Sequence, residues 1–427
     1  MKANFKSKYF IAIVSLLSYF YIGELKNVFF PNIIIQYIFL LGALLIFVQK
    51  ADFHHVTRYE LIWFVTYIFF IVIRNRRLEI GELDINILYY GFLIILIVAL
   101  HNKISWIGSF IYFLYCISFL HATVTIIFRF VPSVFQFYAT HIISAVNYSE
   151  VIQRYNAGQI TGLCVNYGLN AGILALGTGI AFIYVIFEKQ NRKKHIFATA
   201  YLLFALLLTG KRSPLIFTIA AVIAVYLLCA HQRLSKKVII LLFILLIVLI
   251  VLPIFLTMVP QVSVVFDRLM DRQDWTTLGG RTELYEEAIK MFKSHPIMGN
   301  GWTSYLLETE HTIGRVYEKQ YARMMAHNVY LQLLAETGIV GLVIFVYLFV
   351  AKMIQLARKI YNYGIEPLCG KENSKYIAAL IYLLLFFLLY GFSGNPLYDA
   401  YMYIMAMLCC AGMQAIIIYL RKGQKGK

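Results

Sequence analysis

HNVYLQLLAETGIVGLVIFVYLFVA, residues 327–351, opens on a hydrogen-bonding pair and runs without a break into apolar sequence. From Asn328 onward the stretch is long enough to cross a hydrocarbon core as a helix, which takes about 20 apolar residues. Its polar side chains are not scattered. Asn328, Gln332 and Glu336 fall at i, i+4 and i+8, so on a helix they make one stripe. Such a stripe faces neighbouring helices or a wet cavity, because hydrocarbon offers nothing to a carboxylate or an amide. Gly338 and Gly341 lie off the stripe, where small residues allow close helix contact. The segment reads as a transmembrane helix with a polar mouth.

Apolar runs of similar length recur from end to end. The candidate spans are 9–23, 29–48, 59–73, 85–100, 104–128, 166–187, 195–209, 213–230, 237–258, 328–351, 376–392 and 400–420, twelve in all. The 427-residue chain is 61% hydrophobic and only 14% charged, against roughly a quarter charged in an average soluble domain. These values exclude a soluble globular domain. They predict an all-α, polytopic membrane protein of about 12 transmembrane helices with a large extracytoplasmic loop carrying short helices. In chain order, 1–258 holds the first nine helices, 259–327 the large loop and 328–427 the last three, as a single membrane domain. The first span follows MKANFKSK with no small-residue cleavage site behind it, and reads as an uncleaved helix. Cys116, Cys164, Cys229, Cys369, Cys409 and Cys410 have no metal-type spacing and read as small core residues.

The formal charge of +17 would suggest nucleic acid in a soluble protein, but here the basic residues punctuate membrane spans, so no nucleic-acid partner is expected. Their side matters more than their sum. With the N-terminus inside, 22 of the 38 lysines and arginines fall in inner segments, and eight of the other 16 sit in the loop 259–327. The positive-inside tendency then predicts cytoplasmic termini and an outward-facing long loop. RNRR, residues 74–77, falls on the outer side and opposes this orientation.

Three helix starts face outward. In TGKRSPLIF, residues 209–217, Ser213 fits an N-cap and Pro214 a first turn. Lys211 and Arg212 place two cations where the helix dipole favours an anion, a conflict that a bound anion resolves; snorkelling to lipid headgroups is the plainer reading. In GRTELYEEAIKMFKSHPIMGNGW, residues 280–302, the sequence breaks at Gly279 and Gly280. Leu284, Tyr285, Ala288, Ile289 and Phe292 then share one helix face, and Pro296, Gly299 and Gly301 end the helix. Arg281 stands at its first turn, again against the dipole, with a salt bridge to a nearby carboxylate as the alternative. At the third start His327 precedes the helix and Asn328 caps it; the positive helix end favours a neutral imidazole, which can accept a proton.

His327-Asn328, nine residues, then Gly338-x-x-Gly341 resembles the pattern of the O-antigen ligase and Wzy-type polysaccharide polymerase superfamily. The Arg281 helix with its Pro-x-x-Gly-x-Gly end is similar to that family's large outer loop, and TGKRSP to its arginine-bearing hairpin. The resemblance implies transfer of a glycan from an undecaprenyl-diphosphate carrier at the outer face of a bacterial cytoplasmic membrane. It implies that Arg212 and Arg281 hold the diphosphate and that His327 acts on the acceptor hydroxyl. Two guanidiniums beside helix N-termini stabilise charge developing on phosphate oxygens without a metal or another cofactor, and a neutral histidine serves as general base. Lys211, Asn328, Gln332, Glu336, Arg154 and Asn166 are the expected substrate-binding residues. The expected partners are a lipid-linked glycan donor and acceptor, membrane lipids and a chain-length regulator.

Some readings stay open. Glu336 competes with His327 as the base, although its depth along the helix suits a structural partner. Asp267, Asp271 and Asp274 stand at i, i+4 and i+7, as a metal site would need, but Arg268 and Arg272 between them favour an ion-paired helix. RYNAGQITGLCVNYGLN, residues 154–170, lines an acceptor groove or simply re-enters the membrane. The motifs do not separate a polymerase, which extends a chain on its lipid carrier, from a ligase, which moves the finished glycan to a lipid or protein acceptor. The Lys-, Ile-, Asn-, Phe- and Tyr-rich composition leans toward a capsule polymerase. A lipid-linked oligosaccharide transporter is the alternative of a different class; such proteins favour paired half-repeats and discontinuous helices, and no repeat relates the two halves here.

Overall fold

The computed structural model describes residues 17–29, 56–82, 84–101, 103–230, 232–271, 281–312, 316–317, 320–321 and 324–425. The expected second span, 29–48, lies outside the described residues except for Phe29, as do most of the first span, Asp274, Gly279 and Gly280. The fold is all-α and polytopic. In chain order the main helices are α1 (Arg58–Thr66), continued by a π-helical run Tyr67–Ile73, α2 (Ile85–Leu100), α3 (Ile107–Phe130), α4 (Pro132–His141) and α5 (Ala145–Asn156). There follow α6 (Tyr167–Phe187), α7 (Arg192–Leu208), α8 (Arg212–Cys229), α9 (Leu234–Met258), α10 (Ser263–Met270), α11 (Thr282–Ser294) and α12 (Ser304–Thr312). The series ends with α13 (Val329–Tyr363), α14 (Lys371–Tyr390) and α15 (Ala400–Lys425). Each expected span from 59–73 to 400–420 coincides with one of these helices. Among the described residues, six helices are long and apolar enough to cross a membrane: α3, α6, α8, α13, α14 and Ala400–Lys422 of α15. Helix α9 exposes Ile239, Leu242, Phe243, Leu245 and Leu246, a surface suited to lipid and costly in water.

The described residues divide into two compact units. One takes those of Met1–Ala43, Ile104–Asp271 and Ala357–Phe386, the other those of Leu44–Lys103, Arg272–Leu356 and Phe387–Lys427. The first is organised around α6, which is buried for most of its length. Its glycines set the packing distance: a Cβ on Gly177 would stand 2.2 Å from the Ser118 side chain, and one on Gly179 would enter the Tyr382 ring at 1.9 Å. Polar side chains lock the same contacts, since Ser118 donates to the Ile173 carbonyl (2.9 Å) and Tyr382 to that of Ala175 (2.7 Å).

In the second unit, α13 is not one rod. At Gly338 the backbone turns to φ 65°, ψ −169°, and the loop from Pro296 to Gly301 threads the break. An unbroken helix would bond Ile339 N–H to Ala335 C=O and Val340 N–H to Glu336 C=O. Here Ile339 N–H donates to Pro296 C=O (2.9 Å) and Val340 N–H to Ile297 C=O (3.2 Å), while Ala335 C=O accepts from Asn300 N–H (3.0 Å) and Glu336 C=O from Gly301 N–H (2.8 Å). The Asn300 amide adds bonds to Met291 and Ala335 carbonyls at 2.8 and 2.9 Å. Gly338 was expected to serve helix–helix contact; what it meets is this loop, because the open ladder at the break binds backbone better than a side chain could. Gly341 does approach another helical segment, with a Cβ placed 3.2 Å from the Phe70 ring.

The same loop explains RNRR. Arg74 donates through Nη1 to Met298 C=O (2.5 Å) and through Nη2 to Gly299 C=O (2.8 Å). Trp302 N–H reaches Arg74 C=O (2.8 Å), and Arg76 N–H returns to Trp302 C=O (3.0 Å). Arg76 and Arg77 pair with Glu79 and Glu82. Arg74 is therefore a structural clamp on the loop, while Arg76 and Arg77 make ion pairs at the surface. Helix α11 also differs in its inner face: Leu284, Ala288 and Met291 are buried while Ile289 is exposed, because Tyr305, Ala326 and Ala335 pack against Ala288 and Met291. A two-residue antiparallel ribbon, Val316–Tyr317 with Gln320–Tyr321, is the strand pairing found among the described residues.

The glycines of the threaded break are testable. A Cβ on Gly299 would lie 2.4 Å from the Glu336 carbonyl, and one on Gly338 2.3 Å from the Ile297 oxygen. Gly299→Ala and Gly338→Ala are each expected to cost roughly 2–4 kcal/mol, from overpacking plus a left-handed backbone. Gly81 is also left-handed (φ 77°) but has open space around it, so Gly81→Ala should cost only about 1–2 kcal/mol. Thermal unfolding in detergent reads the difference; equal shifts for all three would count against the threaded loop.

Candidate functional site

The mouth of α13 is built by its own polar residues. Asn328 Oδ1 accepts the N–H groups of Tyr330 (3.1 Å) and Leu331 (3.2 Å), the expected cap. His327, just before it, is exposed and sits in the left-handed region at φ 53°, which costs a residue with a Cβ about 1–2 kcal/mol. Bonds on both sides hold it there. Ala326 N–H donates to Gln332 Oε1 (3.2 Å), and Val329 N–H is shared between the carbonyls of Gly391 (2.9 Å) and Gly394 (3.1 Å).

The stripe below the mouth faces protein. Gln332 and Glu336 are fully buried. Gln332 Nε2 donates to Glu336 Oε1 (3.2 Å), and the Tyr398 hydroxyl donates to Glu336 Oε2 (2.6 Å). The Asn395 amide donates to Gln332 Oε1. Tyr398 in turn stacks on Trp302 at a centroid distance of 5.0 Å, so the end of the Pro-x-x-Gly-x-Gly loop closes the network from one side. Burial, reinforced by the neighbouring Glu336 carboxylate, pushes the Tyr398 phenol well above its usual range and keeps it a donor.

Arg281 occupies the capping position of α11 and donates through Nη1 to Ser393 C=O at 2.9 Å. The turn GFSGN, residues 391–395 between α14 and α15, thus receives Arg281 at Ser393, the His327 segment at Gly391 and Gly394, and Gln332 at Asn395. Sequence reading passed over this turn. Its signal was present in Gly391, Gly394 and the Asn395-Pro396 pair, which mark a turn, but nothing in the residue types announced that two loop segments dock on it.

The remaining site residues belong to the first unit. Lys211 Nζ lies 4.8 Å and Arg154 Cζ 5.2 Å from the Tyr167 ring centroid, so one aromatic face system gathers both cations. Arg154 also pairs with Glu150 (3.7 Å). Asn166 caps α6 by accepting Gly168 N–H (2.6 Å). Arg212 is the first residue of α8 and half-buried, with Lys211 in the capping position. Ser213, expected as the cap, lies inside the first turn. The helix starts earlier because left-handed Gly210 (φ 67°) has already reversed the chain and Lys211 N–H bonds back to Thr209 Oγ1 (3.3 Å). Pro214 remains in the first turn. Helix α10 ends at Met270, so Asp271 leaves it one residue early for the expected carboxylate spacing. Among the described residues, no group of three or more His, Cys, Asp or Glu is placed to hold a metal.

The stretches carrying Arg212, Arg281 and His327 follow one another between 209 and 341. Residues 197–346 match the O-antigen ligase family model. All three stretches lie inside that segment, over which the resemblance to the O-antigen ligase and Wzy-type superfamily is borne out. A 96-residue stretch is 26% identical to the exopolysaccharide production protein ExoQ of Rhizobium meliloti, covering 22% of either chain. The chain therefore spans under a quarter of that relative's length.

Asp399, next to Tyr398, gives a pH test of this turn. Burial pushes its carboxyl up to about 7. A carboxyl raised above its unfolded value, near 3.9, costs nothing while both states are protonated and penalises the fold increasingly as pH rises toward 7. Stability in detergent should fall across that window, and Asp399→Asn should flatten the fall. An unchanged pH profile in the variant would remove Asp399 as its source.

Proposed function

We propose that this chain polymerises undecaprenyl-diphosphate-linked oligosaccharide repeat units into capsular or O-antigen-type polysaccharide at the outer face of the bacterial cytoplasmic membrane. In this reading both termini are cytoplasmic and the loop 259–327 faces out. Arg212 and Arg281 hold the donor diphosphate, Lys211 adds charge beside Arg212, and Arg154 and Asn166 contact the glycan acceptor. His327 takes the proton of the acceptor hydroxyl as it displaces the diphosphate, a single step that inverts the anomeric centre and needs no metal.

The observation that carries the reading is the shared turn 391–395. Arg281 and Val329, which lies two residues past His327, both hydrogen-bond to it, which supports an anion grip and a base working at one turn. The family match over 197–346 spans the stretches that carry these residues and supports a polysaccharide ligase or polymerase role. Its description names the O-antigen ligase, so a second reading stands beside the first, transfer of the finished glycan to a lipid or protein acceptor. The transporter alternative gains one discontinuous helix, α13. That break, however, has its free backbone groups bonded to the Pro296–Gly301 loop, where a transporter would present them to an ion or substrate.

Arg212→Ala, Arg281→Ala and His327→Ala are each expected to abolish long-chain glycan while the protein stays in the membrane. Wild-type chain lengths in all three would overturn the site assignment. Purified protein in liposomes with undecaprenyl-diphosphate-linked repeat units should give a ladder of longer lipid-linked chains, with chelator present. Product only on an added lipid or protein acceptor would make the ligase reading correct, and loss of the ladder on chelation would refute metal independence.

A further inference from the structure

His327 holds a backbone conformation that a side chain disfavours, and the bonds that enforce it are unequal in what they accomplish. Downstream, Asn328 and Val329 are fixed by the helix cap and the 391–395 carbonyls. Upstream, Thr309 holds Met324 through both its N–H (3.2 Å) and its C=O (2.9 Å). Between these fixed points Ala326 N–H goes to a side chain, Gln332 Oε1. We infer that Gln332 is a positioning residue for His327: clamped by the Asn395 amide and the Glu336–Tyr398 pair, it fixes the left-handed turn from which the imidazole projects.

The inference rests on the proposed role of His327 as the base. It is carried by geometry. Four side chains, Gln332, Glu336, Asn395 and Tyr398, form a continuous hydrogen-bonded chain ending on the backbone one residue before the histidine. An apolar residue at 332 would fill the same space without desolvating an amide. What it could not do is hold the Ala326 N–H, and a buried polar network of this kind fixes a geometry more than it adds stability. Glu336, fully buried and bonded on both oxygens, acts in this scheme on Gln332 and not on substrate.

The test separates positioning from simple stability by measuring kcat and KM on an undecaprenyl-diphosphate-linked repeat unit extracted from the host. Gln332→Met keeps the length and loses the acceptor; kcat should fall about 10²-fold, as for an ångström-scale misplacement, with KM nearly unchanged. The exchanged pair Gln332→Glu with Glu336→Gln rebuilds the same bonds, with donor and acceptor reversed only between 332 and 336, and should recover most of kcat. Wild-type kcat in Gln332→Met, or no recovery in the exchanged pair, overturns the inference. If Gln332→Met does not accumulate in membranes, Asn395→Leu replaces it: loss of kcat at constant KM supports the clamp, and wild-type kcat overturns it. His327→Ala is assayed alongside. Activity in that variant would sink the functional reading itself, whereas an inactive His327→Ala beside a fully active Gln332→Met would sink only the positioning role.

Discussion

Two peptide hydrogen bonds are missing from α13 at Gly338, and four to the Pro296–Gly301 loop replace them. Left open in apolar surroundings, those four backbone groups would each cost roughly 1–3 kcal/mol. The loop satisfies them all, and so the break anchors the segment that follows the α11 helix. From it the rest of the second unit takes its positions: Trp302 is delivered into contact with Tyr398, Arg74 clamps the loop from behind, and the mouth of α13 is set at an angle of its own. Length makes the same point. As one unbroken rod the 35 residues of α13 would measure about 52 Å, well beyond the ~30 Å of hydrocarbon, whereas the 25 after Gly338 reach about 37 Å. The part after the break suffices to cross a membrane, and the segment bearing Asn328, Gln332 and Glu336 is free to act as a separate short helix.

The turn 391–395 does for the site what the loop does for the helix. It presents carbonyl groups where a side chain would be replaceable, and it takes on donors from two distant parts of the chain. A guanidinium carries five N–H donors, so the bond from Arg281 Nη1 to Ser393 anchors the side chain with one of them. The left-handed histidine beside it is a cost that persists because the surrounding bonds over-determine it, a combination concentrated at functional positions.

Membrane spans were legible in the sequence because hydropathy needs only composition and length; α3, α6, α8 and α14 begin within five residues of the expected positions. The Asn328 cap was legible for a similar reason, since it depends on its immediate neighbours. Contacts between remote backbones were not. Pro296, Gly299 and Gly301 read as a helix stop, and nothing in their types shows that they enter the ladder of another helix forty residues on. RNRR read as a charge in the wrong place because a guanidinium bonded to carbonyls looks the same in sequence as one bonded to water. Tyr398 and Asn395 escaped attention since a tyrosine and an asparagine in a tail-proximal turn carry no chemical signature until the partner they bond is known. The polar stripe, by contrast, was legible as a stripe but not as a network, because its partners come from another hairpin.

The shared turn has a bearing on how the molecule is made. The loop that stitches the helix break leaves the ribosome first, the helix follows, and the carbonyls that pin Val329 and Arg281 emerge only with the hairpin of α14 and α15. Until that hairpin is in place, Val329 N–H and the Arg281 guanidinium lack these acceptors, and Gln332 lacks its Asn395 partner. A chain that still lacks this hairpin therefore holds Val329 and Arg281 without the carbonyl groups that anchor them.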